Sequence, residues 1–188
     1  LNFNHAYKLW NTININFWPK NLKSIIVIPA RFKSSRFPGK PLTKLLGKPM
    51  FQWVAELSLK VVGHQNVYIA TDSKKIFDAV NYAGFQGILT SKSCLTGTDR
   101  LAEVAKKIRA DIYVNVQGDE PLVKPNDIKK IIDLKKKYPN DIINGYTSIK
   151  KNEDPKDINI PKVIFTKDKR FVYISRNTLP GFKEKKNE

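Results

Sequence analysis

Two clusters of residues in the sequence could do chemistry. The first lies in SIIVIPARFKSSRFPGKPL, Ser24 to Leu42, where an apolar, β-branched run gives way to a loop. That loop carries Arg31, Lys33, Arg36 and Lys40, the hydroxyls of Ser34 and Ser35, and the bare backbone of Gly39. Cations and exposed amides gathered in one turn are what a polyphosphate requires. The loop is not a Walker A motif, because Gly39-Lys40 is followed by Pro41 and the upstream glycine is missing; nor is it GxGxxG. A solvated basic loop has the same composition, and local chemistry does not separate the two readings. The second cluster is VNVQGDEP, Val114 to Pro121, which presents Asp119 and Glu120 just after a glycine. Hard oxygen ligands suit magnesium, which commonly bridges one or two carboxylates and substrate phosphates. An ordinary Gly-Asp turn with an exposed acid would look alike. A cationic cradle and a carboxylate brought to one rim is the arrangement that phosphoryl-type transfer uses.

The elements that must position these clusters alternate. SIIVIPA reads as a strand covered on both faces. In PMFQWVAELSLKVV, Met50, Phe51, Val54, Ala55, Leu57 and Val61–Val62 fall near helical spacing. NVYIATD reads as a second strand, and SKKIFDAVNYAG as a helix starting at Asp72 or Ser73 and ended by Gly84. GILTS is a short third strand. Thr96 and Asp99 are spaced as a capping box ahead of a helix in TGTDRLAEVAKKI. DIYVNVQ is a fourth strand, and NDIKKIIDLKKKY a helix burying Ile128, Ile131, Ile132 and Leu134. INGYTSI, PKVIFT and RFVYIS then read as β. The alternation predicts an α/β fold, a Rossmann-like three-layer sandwich with a mostly parallel sheet and a small β-rich C-terminal portion. Ligands of such sheets sit beyond the carboxyl ends of the strands, so the loops after Ala30, Ala70 and Gln117 should share one rim.

Composition narrows the class. The 188 residues suffice for one well-buried domain, and no apolar run is long enough to span a bilayer. The first residues lack the layout of a signal peptide, and Cys94 is the single cysteine, so the expectation is a cytoplasmic protein without internal disulfides. The net charge of +17 would suit nucleic acid. However, the cations are 28 Lys against 6 Arg, spread along the chain and often beside Asp or Glu. Nucleic-acid readers cluster Arg with aromatics. A solvated, lysine-decorated surface is therefore expected, with no nucleic-acid or membrane partner. Residues 1–23, polar and aromatic without a sustained period, read as an appendage, 24–182 as the main domain and 183–188 as a tail.

IPARFKSSRFPGKPL, YIATD, TGTDRLAE, VNVQGDEP and VYISRNTLP stand in the order and spacing of the 3-deoxy-manno-octulosonate (Kdo) cytidylyltransferases, which the chain resembles from about Ser24 to Pro180. The sialic acid cytidylyltransferases are similar in the role of the first loop but less so in its residues. The resemblance implies the nucleotide-diphospho-sugar transferase type of fold. It also implies transfer of CMP from CTP to Kdo with release of pyrophosphate, on the route to lipopolysaccharide, with Mg2+ as cofactor. By similarity Arg31 and Lys40 would grip the triphosphate, with Ser34 and Arg36 lining the same pocket. Ala30 and Gln117 would lie near cytosine and ribose, Asp119 would hold the metal, and Arg100 would stand on the nucleotide side. Arg176 would meet the carboxylate of the sugar acid. A homodimer is implied where the chain is complete. The resemblance further implies a C-terminal segment with a second metal carboxylate beyond Glu188, so a truncated chain is the expectation. Two other readings remain: a basic nucleic-acid-binding protein reusing an α/β domain, and a family member that binds CTP without turnover.

Cys94 stands where relatives often carry His, and reads as a structural thiol with no base partner. His5 and His64 lack companions for zinc. Trp10, Trp18 and Trp53 read as packing residues.

Overall fold

The computed structural model describes residues 22–33 and 37–179. Ser34, Ser35 and Arg36, the appendage through Asn21 with His5, Trp10 and Trp18, and the tail lie outside the described residues. The chain divides into two units, residues 1–143 and 144–188.

In the first unit, β1 (Ser24–Pro29) runs into the loop of the first cluster. A hairpin follows, β2 (Lys44–Leu45) and β3 (Lys48–Pro49), then helix α1 (Met50–Val62). Next come β4 (Val67–Thr71), α2 (Lys74–Tyr82), β5 (Gln86–Leu89) and α3 (Gly97–Lys107). β6 (Ile112–Asn115) and α4 (Pro125–Lys137) complete it. The four long strands form a parallel sheet in the order β5-β4-β1-β6. β1 alternates between two cores, as its period of two requires. Ile26 and Ile28 pack with Phe51 and Val54 of α1, Ile76 and Val80 of α2, and Ile128 and Ile132 of α4. Ile25 and Val27 pack on the other face with Val104 of α3. These three layers are the expected sandwich. Every strand residue of β1 from Ile25 to Ile28 is fully buried, which is why the run is apolar throughout.

The helix signals hold with two adjustments. Ser73 caps α2 by accepting the Ile76 N–H, and Gly84 (φ 81°) lies just past its end. Thr96 and Asp99 form the reciprocal capping box at α3. In α4, Ile128 and Ile132 are buried four residues apart, whereas Leu134 is 43% exposed. Two residues beyond Ile132, Leu134 is rotated by about 200° and faces the other way. In α1, Ser58 takes a core position and donates its hydroxyl to the Val54 carbonyl at 2.8 Å. Lysines on the outer faces of α2 and α3 pair along the helix, Lys74 with Asp78 at 2.6 Å and Lys107 with Glu103 at 2.8 Å. Among the described residues no helix is long and apolar enough to cross a membrane.

The β2–β3 hairpin closes through Leu46 and Gly47, both at positive φ (50° and 80°). Two-residue loops of this geometry favour Asn-Gly, since Asn tolerates the left-handed region better than other side chains. Leu46 is 94% exposed and gains nothing from burial in return. Leu46→Asn is expected to raise stability by about 0.5–1 kcal/mol. The check is a higher urea midpoint at unchanged m-value.

The second unit holds an antiparallel pair, β7 (Lys162–Phe165) and β8 (Phe171–Ser175). Lys162 is buried and its ammonium ties the carbonyls of Asp157 (2.6 Å) and Arg176 (2.7 Å). INGYTSI forms no strand: it has the β-branched composition, but no backbone in its unit offers it a ladder among the described residues. Tyr146 contacts the hairpin by its ring instead, 4.6 Å from that of Phe165.

Candidate functional site

The sheet order decides where the chemistry gathers. From β1 the chain moves outward to β4 and β5, then returns to the far side of β1 for β6. Their connections therefore diverge at the carboxyl ends of β1 and β6, the place where open α/β sheets receive ligands. Both clusters emerge there.

Two glycines set the approach. Gly39, at φ 71°, closes the first loop by donating its N–H to the Phe32 carbonyl at 2.8 Å. A Cβ there would stand 3.2 Å from the Phe32 ring. Immediately after it, Lys40-Pro41-Leu42 makes a 3-10 turn anchored by the buried Pro41. Gly118 packs its backbone onto the end of β1, where a Cβ would stand only 2.7 Å from the Pro29 carbonyl oxygen. From these anchors Lys40 and Asp119 reach each other, Nζ to Oδ2 at 2.8 Å, with side chains 37% and 50% exposed. The basic loop and the acidic turn thus meet across the rim.

The other sequence-derived residues spread around this pair. Ala30 is buried at the end of β1 and donates its N–H to Ala70. Gly97, at the start of α3, comes so close to Pro29 that a Cβ would lie 3.1 Å from its Cγ and 3.7 Å from Gln117 Nε2. Gln117 itself is exposed and reaches Asn115 Oδ1 at 3.3 Å. Arg31 is exposed, its guanidinium donating to the Leu95 carbonyl at 3.1 Å. Arg100 points inward. It is 2% exposed, donates to Thr90 Oγ1 at 2.5 Å, and lies 3.5 Å from Asp72 Oδ2. In this way it ties α3 to the loops that follow β4 and β5. Arg176 belongs to the second unit, where its Nη1 donates to the Ile158 carbonyl at 2.9 Å. A surface cavity of about 330 Å³, lined by Phe32, Lys33, Asp72, Ser73, Lys74 and Lys92, opens on the β4 side of the rim.

Cys94 donates its S–H to Glu103 at 3.3 Å, and burial together with that carboxylate pushes the thiol above its ordinary value. It stays protonated near neutral pH, as a structural thiol should. Glu103 also accepts from Lys107 and from the Ser91 N–H, at 2.8 Å each. Lys107 first, then Ser91, bring this carboxyl down from 4.5 to about 2. A depressed carboxyl contributes stability that is present above pH 4.5 and lost as the pH falls toward about 2. Stability measured across that window should decline, and Glu103→Gln should flatten the decline.

The half-exposed carboxylate of Asp119 could offer magnesium one hard ligand, with phosphates and water supplying the rest. Among the described residues no group of three or more His, Cys, Asp or Glu could hold a metal ion unaided.

A doubly wound parallel sheet, with a lysine and an acid meeting at its switch point, is the kind of α/β scaffold that receives ligands at that crevice. Residues 25–188 match the family model described as cytidylyltransferase, and the chain belongs to that family. It is 49% identical over 110 residues to the 3-deoxy-manno-octulosonate cytidylyltransferase of Escherichia coli, covering 58% of this chain and 45% of that protein. It is 42% identical over 168 residues to the protein of the same name from Geobacter metallireducens, covering 89% of this chain and 66% of that one. Among solved structures, CMP:2-keto-3-deoxy-manno-octonic acid synthetase complexed with CTP matches with a TM-score of 0.74 and 38% identity, over 86% of this chain and 67% of that one. The chain spans less than two thirds of the length of these two curated relatives.

Proposed function

We propose that the chain carries the CTP-handling part of an enzyme that transfers CMP from CTP to Kdo and releases pyrophosphate, within the route to lipopolysaccharide. The observation that carries this reading is the meeting of Lys40 and Asp119 at the sheet's switch point. The relatives' names supply the sugar acid and the nucleotide. The single cysteine, kept as a thiol, suits a reducing cytoplasm.

In this reading no protein nucleophile is needed. The sugar hydroxyl attacks the α-phosphorus, its proton leaves to solvent, and the bond to the pyrophosphate oxygen breaks. Lys40 and Arg31, with Arg36 and Ser34 on the same loop, bind the triphosphate and stabilise charge developing on its oxygens. Gln117 and Ala30 border the nucleoside, and Arg100 positions the surrounding loops from inside. The family resemblance assigns the sugar carboxylate to Arg176, whose planar guanidinium suits a carboxylate. Asp119 would hold Mg2+, which when bound would supply positive charge against the phosphate oxygens.

The test is calorimetric titration with CTP, with and without Mg2+, followed by pyrophosphate release on adding Kdo or, separately, a sialic acid. Metal-dependent CTP binding with release on Kdo alone is expected. Failure to bind CTP, with DNA binding that falls steeply with salt, would overturn the proposal in favour of a nucleic-acid-binding protein.

A further inference from the structure

We infer that Lys40 is a stand-in counter-ion on Asp119, occupying the carboxylate until a metal and a polyphosphate arrive together. The inference rests on the cytidylyltransferase reading for its ligand and on geometry for its device. Lys40 Nζ sits 2.8 Å from Asp119 Oδ2. The two backbones cannot easily part, because Pro41 is buried on one side and Gly118 abuts the Pro29 carbonyl on the other. The long lysine side chain can move, since both partners are half-exposed and neither is locked by packing.

A divalent cation arriving alone meets a single carboxylate whose charge an ammonium already balances. No cluster of three or more potential ligands among the described residues compensates for that. Magnesium gives up its waters reluctantly and wants several oxygen ligands. A polyphosphate arriving with it changes both sides of the exchange. It gives Lys40 a new anion to bind and gives the metal further oxygens, while Asp119 is released to the metal. Each ligand therefore favours the other, and the coupling is reciprocal. An acid and a base suited to different ligands are thus paired with one another. This pairing disfavours capture of a lone cation by Asp119.

The experiment uses the 15N-labelled full chain and Mn2+ as the metal probe, without nucleotide, following paramagnetic broadening of the Gly118 and Asp119 amides. Lys40→Met should reach half-broadening at about one fifth of the Mn2+ concentration the wild type needs, the scale of a half-exposed ion pair. Lys40→Arg, which keeps the charge, should respond like the wild type, and Asp119→Asn should show no broadening centred on these amides. Equal responses of wild type and Lys40→Met, or no broadening of Gly118 and Asp119 in either, would overturn the inference. A parallel CTP titration separates it from the functional proposal. CTP binding with equal Mn2+ responses sinks the stand-in alone. A fivefold gain in Lys40→Met without CTP binding by the wild type sinks the cytidylyltransferase reading alone.

Discussion

Arg100→Leu should lower the unfolding free energy by about 3–5 kcal/mol, the cost of leaving one half of a buried ion pair alone. The guanidinium is 2% exposed and serves Thr90 Oγ1 and Asp72 Oδ2. Leucine fills part of the volume but supplies no donor. Asp72 would then be left in difficulty twice over, because its other oxygen, Oδ1, is already buried with no hydrogen-bond partner among the described residues. The second variant follows from the same reasoning. Adding Asp72→Asn to Arg100→Leu removes the stranded charge and should recover a measurable part of the loss, a coupling that a double-mutant cycle in urea reads directly. A loss below about 1 kcal/mol for Arg100→Leu would show that water reaches the pair and that Arg100 does not hold the loops.

Lys40→Ala should reduce kcat/KM for CMP transfer by about 10²–10³-fold, the scale on which one preorganised charge-stabilising donor acts. The fold should barely respond. The Lys40–Asp119 pair is half-exposed, and such pairs contribute at most about 1 kcal/mol. The split between the two readouts is the informative result. Asp119→Ala should behave alike, losing turnover and keeping its urea midpoint. Rates measured by pyrophosphate release that remain within a few-fold of the wild type would remove Lys40 from the phosphate site. A comparable loss in stability would mean the residue is structural.

The parts of this fold that were legible in the sequence are those where local pattern and tertiary burden agree. β1 is apolar at every position because both faces are covered, and α3 announces its start through Thr96 and Asp99. The β2–β3 hairpin was missed because its turn is Leu46-Gly47, which lacks the Asn-Gly signal. INGYTSI has the composition of a strand, but a strand is a property of two backbones and composition reports only one. Arg100 illustrates the harder limit. The family resemblance implies a nucleotide-side position for it, while its observed partners, Asp72 and Thr90, come from two other loops, with Asp72 28 residues away in sequence. No local signal carries that information. Lys40 and Asp119 were each legible as chemistry-bearing residues, and the alternation of elements put their loops on one rim; the direct contact across 79 positions depends on β1 and β6 being neighbours.

The central position of β1 has a consequence for how the chain comes into being. Its two neighbours are β4 and β6, and on the β6 side Ser24 pairs with Ile112, 88 residues later (112 − 24). At ribosomal speeds of about 5–20 residues per second, the most apolar segment of the molecule waits roughly 4–18 s before its second flank has even been made. During that interval a greasy ribbon with an open margin is available to any other nascent strand. The hours of greatest danger for this protein are, in effect, its first few seconds, and chaperone occupancy on ribosome-bound chains should peak before Asn115 emerges and fall once it has.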